Sequence, residues 1–253
     1  MGLHTNPALN ASPLGQEGCG ACLVRTSSFC GALLAETPDA PCPSQVPLVP
    51  LLQDHRTTPA RKVICRADEP LVGIPVICDG WAARVVHLPN GRRQILSFLL
   101  PGDFVSLFAM FTDAFDYYVE AITPVSYCHY NRAYIDAKLA TQPNVFRALA
   151  AALLDEKKQA DQLVIDLGRR PAEARVARLI LSLRERLDAR GLVTGPTFAF
   201  PLRQQHIADA VGLTPVYVNA VFAAFRRGGL MEIADRSATI ADVAGLERIA
   251  TLN

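Results

Sequence analysis

Arg203-Gln204-Gln205-His206-Ile207-Ala208-Asp209-Ala210-Val211-Gly212-Leu213-Thr214-Pro215-Val216-Tyr217-Val218-Asn219-Ala220-Val221-Phe222-Ala223-Ala224-Phe225-Arg226-Arg227 decides the fold of the C-terminal part of this chain. A first helix is predicted over about residues 203–211, with Ile207, Ala208 and Val211 turned inward. Gly212 supplies the positive φ of a tight turn, and Leu213 plugs the core. Thr214 caps a second helix whose first position is Pro215, where a missing N–H costs nothing. Val218, Val221, Phe222 and Phe225 make the buried face of that helix, and small Ala208 lets the two helices approach closely. The pattern is that of a helix-turn-helix, the supersecondary unit that lays its second helix in a DNA groove.

Working outward, Gly228-Gly229-Leu230-Met231-Glu232-Ile233 and Thr239-Ile240, joined through Asp235-Arg236, predict a two-stranded wing, and Thr197-Phe198-Ala199-Phe200 adds a strand. Upstream, Pro171 opens a helix with the stripe Val176, Leu179, Ile180, Leu183 and Leu187, ended by Gly191. Residues 143–167 form one long helix whose stripe includes Val145, Leu149, Leu153, Ala160, Leu163, Val164 and Leu167. That stripe must be buried, either on the domain before it or against a second copy; the second is favoured, with Leu149, Leu153, Ala160, Leu163 and Leu167 as the dimer seam. Asp155-Glu156-Lys157-Lys158 interrupts the stripe with charge that opposes pairing. Between Lys62 and about Arg132 short apolar segments alternate with turns at Asp79-Gly80, Pro89-Asn90-Gly91 and Pro101-Gly102-Asp103, which predicts a β-roll or small barrel. Residues 1–18 read as a disordered lead and the Pro-rich residues 36–60 as irregular.

The composition limits the functions open to such a chain. With 50% hydrophobic residues, 253 residues suffice for two domains with full cores. The net charge of +1 hides an asymmetry: residues 169–253 hold 12 Arg, no Lys and 8 acidic residues, a surplus of +4 that leaves −3 on the remainder. Arginine is the side chain suited to phosphate forks and guanine edges. No apolar run is long enough to span a bilayer, and no export signal opens the sequence, so a cytoplasmic protein without membrane contact is expected. The sequence shows no phosphate loop, no nucleophile elbow and no paired catalytic carboxylates, and its five His are scattered, so no catalytic residues are assigned.

Seven cysteines without an export signal point to metal or redox chemistry rather than disulfides. Cys19, Cys22 and Cys30 stand in a C-x2-C-x7-C spacing that suits a soft metal or an iron–sulfur cluster lacking one ligand. Zinc completed by Cys42 or His129 is the alternative, and purely structural cysteines are another. Cys65 and Cys78 lie in apolar strand segments and read as small core residues.

With these segments in view, the chain from Cys19 to Ile240 resembles the CRP/FNR family of bacterial regulators. Gly80-Trp81, Gly91-Arg92-Arg93-Gln94-Ile95, Leu100-Pro101-Gly102-Asp103-Phe104, Leu167-Gly168-Arg169-Arg170 and the winged helix carry the resemblance. It implies an α+β chain: a cysteine-rich segment over 1–35, a β-roll sensor domain resembling cyclic-nucleotide-binding domains over 36–142, a dimerisation helix over 143–168, and a winged helix-turn-helix over 169–253. It also implies a homodimer on a two-fold DNA operator with half-sites about 34 Å apart. Activation would further call for a surface patch for RNA polymerase.

Two departures and one match matter. At the recognition-helix positions where well-known members carry a Glu and an Arg, this chain has Val216 and Ala220. Tyr217 and Asn219 are left to face base edges, with Val216 available to a thymine methyl. Arg203, Arg226 and Arg227 are placed for phosphates, and Gln204 and Thr214 complete the expected DNA-facing set. The stretch after Gly102-Asp103 has no Lys or Arg as far as Glu120, so no cyclic nucleotide is expected. Finally, Cys128 matches the position from which oxygen-sensing FNR-type members supply a fourth cluster ligand; the resemblance thus implies a [4Fe-4S] cluster on Cys19, Cys22, Cys30 and Cys128, with zinc or no metal as alternatives.

Overall fold

The computed structural model describes residue 24 and residues 29–34, 52–71, 73–112 and 116–251. It is a mixed helix and sheet structure that divides into two compact units. One takes the described residues up to 87 together with 97–157; the other takes 88–96 and the chain from 158 onward. Among the described residues no single helix is long and apolar enough to cross a membrane.

The first unit opens with helix α1 (Phe29–Leu34), followed by β1 (Leu52–Thr58), β2 (Val63–Cys65), β3 (Ile74–Asp79) and β4 (Ala82–His87). Next come β5 (Arg93–Leu99), a short 3-10 turn (Phe108–Met110), β6 (Tyr118–Ala121), β7 (Val125–Tyr130) and α2 (Arg132–Thr141). The strands make two sheets, ordered β1-β7-β3 and β2-β6-β4-β5. Strand β7 is buried along its whole length, because each of its faces has its own core. Cys128 and Tyr130 look into a cluster with Ile74, Val76, Phe104 and Ile135, whereas Val125 and Tyr127 look into one with Ile77, Leu99, Val105 and Val119. Alternate residues of a strand point to opposite faces, so one strand serves both cores.

The turn into β4 explains Gly80, whose φ is +84° and whose added Cβ would collide with the Pro124 carbonyl oxygen. Residues 36–60 are not irregular throughout, because Leu52–Thr58 is a strand. Its sequence is polar and without apolar alternation. It is an edge strand held by backbone pairing along β7, from Leu52 opposite Tyr130 to Thr58 opposite Val125. The predicted lead over 1–18 lies outside the described residues, as do Cys19, Cys22 and Cys42.

Helix α3 (Pro143–Arg169) runs from the first unit into the second, which continues with α4 (Ala172–Asp188), β8 (Val193–Thr194), β9 (Thr197–Ala199) and α5 (Gln204–Val211). It closes with α6 (Pro215–Arg227), β10 (Met231–Ala234), β11 (Ser237–Ile240) and α7 (Val243–Ala250). The sheet order is β10-β11-β9-β8. The wing turn places Asp235 and Arg236 at φ +48° and +61°, the doubly left-handed geometry that matches hairpin twist. Val176, Ala177, Ile180 and Leu183 of α4 are buried, as are Phe198, Phe200, Val218 and Phe225. Helix α7, capped by the Asp242 carboxylate at the Gly245 amide, has no counterpart in the sequence reading.

Candidate nucleic-acid interface and thiol cluster

Gly212 ends α5 in the left-handed region at φ +67°, and a Cβ there would also crowd Leu167 Cδ2 at 3.1 Å. Thr214 then caps α6, its hydroxyl accepting from the Tyr217 amide at 3.3 Å. Val218, Val221 and Phe225 are buried and Phe222 is half-buried, which fixes the rotation of α6 about its axis. The opposite face therefore presents Val216, 80% exposed, together with exposed Tyr217, Asn219 and Ala220, and Arg226 and Arg227 near its end. Arg203 and Gln204 are exposed at the start of α5, and the Gln204 side-chain amide donates to Asn219 Oδ1 at 2.9 Å. The Tyr217 hydroxyl donates to Glu173 Oε1 of α4 at 3.1 Å, and that hydrogen bond, with the carboxylate's charge, raises its pKa above the usual phenol value. So Tyr217 is neither packed on its own helix nor wholly available to bases: its ring is exposed and its hydroxyl is engaged.

On α3 the residues expected at a dimer seam part company. Leu149, 3% exposed, is buried with Val145 in the core of the first unit beside Ile135 and Tyr130. It is therefore a roll residue, a correction that follows from the helix packing one stripe against its own domain. Leu153 and Ala160 stay exposed, while Leu163 and Leu167 are half-buried. The exposed large apolar residues of α3 are Phe146, Leu153, Leu154, Val164 and Ile165; Leu153 and Val164 belong to the expected stripe, and Phe146, Leu154 and Ile165 widen it to one side. The charged break is also reassigned in part, because Glu156 turns inward to the buried Arg84 guanidinium. Arg84 itself donates to the carbonyls of Phe104 at 2.9 Å and Val105 at 3.0 Å.

The thiols are set by β7 and its two neighbours. Cys30, on α1, accepts a hydrogen bond from the Tyr130 hydroxyl at 3.0 Å. Tyr130 and Cys128 lie one pleat repeat apart on one face of β7, roughly 7 Å along the strand. Phe29 packs against Phe104 in a tilted pair with ring centroids 4.9 Å apart, and Leu33 joins the same apolar cluster as Cys128, Val145 and Leu149. Of the four expected cluster ligands, Cys30 and Cys128 thus share one neighbourhood; Cys19 and Cys22 lie outside the described residues. His129 faces the other side of β7, edge-on to Tyr127 at 5.4 Å, and so cannot join Cys128 around a metal. Cys65 is a core residue, and burial, helped by the Glu69 charge, pushes its thiol up to about 12.

Cys78 is different from the core residue expected. It is half-buried, and its sulfur lies 3.0 Å from Cys128 Sγ. His55 stands directly opposite Cys128 on β1, and the ligand atoms of His55, Cys78 and Cys128 are all within 4.8 Å of one another. Neither residue carried a signal in sequence, since only strand pairing brings residues 55, 78 and 128 together.

Comparison with known proteins places these features in context. Residues 174–249 match the family described as Crp-like helix-turn-helix domain, and residues 55–142 match the Cyclic nucleotide-binding domain. The chain is 28% identical over 233 residues to the nitrogen fixation regulation protein FixK of Bradyrhizobium diazoefficiens, covering 92% of this chain and 93% of that protein. It is 28% identical over 236 residues to the transcriptional activator protein FnrL of Cereibacter sphaeroides, covering 92% and 89%. A probable transcriptional activator of Rhizobium leguminosarum bv. viciae is 30% identical over 163 residues, 64% of this chain and 67% of that one. Among solved structures, FixK2 from Bradyrhizobium japonicum superposes with a TM-score of 0.70 at 24% identity, over 79% of this chain and 98% of that one. A CRP-family transcriptional regulator from Thermus thermophilus gives 0.60 at 25% identity, over 77% and 96%.

Proposed function

The chain belongs to the CRP/FNR family of DNA-binding transcription regulators, and from that premise we propose that it works as a homodimer on a two-fold operator and senses oxygen or redox state through a [4Fe-4S] cluster on Cys19, Cys22, Cys30 and Cys128. The observation that carries the sensory reading is that Cys30 and Cys128 border one apolar cluster on one face of β7. Four thiols are the donors such a group takes, and two of them, Cys30 and Cys128, border the apolar cluster that α3 also joins. When bound, the cluster supplies iron–thiolate bonds that oxygen or nitric oxide can break.

Everything downstream is done by the chain's own side chains. Leu33 of α1 and Val145 and Leu149 of α3 belong to one core, so a shift of α1 at Cys30 is felt at the start of α3. The exposed Phe146, Leu153, Val164 and Ile165 on that helix are the surface a second copy would cover. Two recognition helices then enter successive major grooves. Arg203, Arg226 and Arg227 neutralise phosphates, Asn219 and Tyr217 face base edges, and Val216 with Ala220 presents methyl groups suited to thymine. A cyclic nucleotide is not the signal in this reading, because the cation inside the roll, Arg84, already serves two carbonyls and Glu156.

Purification of the full chain without air tests the proposal. Iron and acid-labile sulfide should co-purify at four of each per chain and fall away in Cys30→Ser and Cys128→Ser. Air should lower both the dimer fraction and operator affinity. Colourless, iron-free protein that binds its operator equally well with and without air would leave a constitutive regulator with structural cysteines.

A further inference from the structure

Strand β7 carries Cys128 between two partners that sequence places far away. On β1, His55 is its direct cross-strand neighbour. On β3, Val76 is the paired residue, and Cys78, two residues further along the strand, falls on the same face, just where the register shifts between Ile77 and Asp79. The result is two sulfurs 3.0 Å apart with an imidazole nitrogen within 4.8 Å of both.

We infer that His55, Cys78 and Cys128 form a binding site for a single thiophilic cation, zinc(II) by this donor set, built by the sheet itself and sharing only Cys128 with the cluster thiols. Zinc bonds sulfur at about 2.3 Å and nitrogen at about 2.0–2.1 Å in a tetrahedron. The edge between two thiolates on such an ion is then roughly 3.8 Å and that between a thiolate and an imidazole nitrogen roughly 3.5 Å, so the cysteine pair needs to open by under ~1 Å while the imidazole closes on it. Two thiolates balance the charge of a divalent ion, which favours a half-buried position. Burial grades across the site, with Cys128 buried, Cys78 half-buried and His55 exposed, so the fourth position opens towards solvent and ions can enter and leave. Cys65 gives the contrast: it is a strand cysteine outside any such group among the described residues, and its burial holds the thiol protonated.

Because Cys128 cannot serve both sites, the ion and the proposed cluster exclude each other, and the zinc form would be a second, air-stable state of the sensor. The inference rests on the sheet geometry and stands whether or not the cluster forms.

The test uses the full-length protein, reduced, handled without air and stripped of metals, titrated with cobalt(II) and back-titrated with zinc(II). One cobalt per chain should bind, with thiolate charge-transfer absorption and the visible bands of a tetrahedral ion. His55→Gln, an exposed position that leaves the core intact, should weaken cobalt binding at least tenfold, as even second-layer changes cost ~10–100-fold at metal sites. Cys78→Ser should remove part of the charge-transfer band, and Cys19→Ser with Cys22→Ser should change nothing. Binding indifferent to His55→Gln and Cys78→Ser, or lost in the Cys19→Ser, Cys22→Ser protein, overturns the site. Iron and sulfide uptake, measured separately, should survive Cys78→Ser and fall when zinc is loaded first. Uptake unaffected by zinc would overturn the sharing of Cys128. Failure of iron uptake alongside intact cobalt binding would remove the cluster and leave this site.

Discussion

The side-chain amide of Gln204, at the start of the first helix of the helix-turn-helix, donates to Asn219 Oδ1 on the second at 2.9 Å. That bond orients the Asn219 amide while leaving its NH2 and a second oxygen lone pair available, the donor and acceptor that adenine N7 and N6 require. Asn219→Ala should therefore cost about 1–3 kcal/mol of discrimination at one operator position. Gln204→Ala should cost less and blur the same position, because it removes the orienting bond and leaves the reader. Fluorescence anisotropy on operator variants at one fixed salt concentration checks both. An equal loss on all sequences would mean that Asn219 contacts phosphate.

The two apolar faces of α3 predict opposite phenotypes. Val164 is 72% exposed and Leu153 is 38% exposed, so Val164→Glu or Leu153→Asp should leave the monomer's melting intact and raise the dimer dissociation constant at least tenfold. Leu149→Ala, at a position 3% exposed, should instead destabilise the fold by about 2–5 kcal/mol. Sedimentation velocity beside urea titration separates the two. Ala160→Asp belongs with the first pair and should also shift the population towards monomer.

The winged helix could be read from sequence because its signals are local: Gly212 for the left-handed turn, Thr214 for the cap, Pro215 for the first helical turn, all within four residues. The wing turn at Asp235-Arg236 was similarly legible. What failed to show was anything defined by pairing across long separations. Polar β1 has no alternation because the main chain, not side chains, holds it to β7. The rotation of α3 depends on which stripe its own β-roll takes first, so Leu149 and Glu156 were misplaced, Phe146 was passed over, and Val164, read as part of the stripe, was left out of the seam. His55 and Cys78 meet Cys128 only through the register of β1 and β3 on β7.

Cys65 makes a pH prediction with a defined sign. Its thiol is raised from the ordinary 9.0 to about 12, so the folded protein holds this proton more tightly than the unfolded chain does. The corresponding stability is fully present below about pH 9 and is lost as pH rises through the window to about 12. Wild type should lose up to about 1.4 kcal/mol per pH unit relative to Cys65→Ala across that window. Urea midpoints compared at matched pH check the difference, and parallel curves for the two proteins would show that the thiol is not held protonated. At pH 8 Cys65 should also resist iodoacetamide until denaturant is added.

The ion pair of Arg84 with Glu156 ties α3 to the interior of the β-roll, and it is built so that its two ends are unequal. Arg84 keeps the Phe104 and Val105 carbonyls if Glu156 is removed, whereas Glu156 sits on a helix with 28% of its side chain exposed. Removing one partner of a fully buried pair costs about 3–5 kcal/mol, and the retained carbonyls and partial exposure reduce that here to roughly 2 kcal/mol for Glu156→Gln. Arg84→Met should cost less than Arg84→Ala, since a flexible apolar chain fills the space the guanidinium stem occupied. The functional consequence is sharper than the energetic one. Glu156 lies on the length of α3 between Leu149, which the roll holds, and Val164, which faces outward, so releasing it frees the helix to rotate its apolar stripe. Glu156→Gln should therefore change the dimer fraction in protein that is still folded, measured by sedimentation at temperatures well below its melting midpoint. An unchanged dimer constant alongside the expected stability loss would confine the pair to holding the domain together.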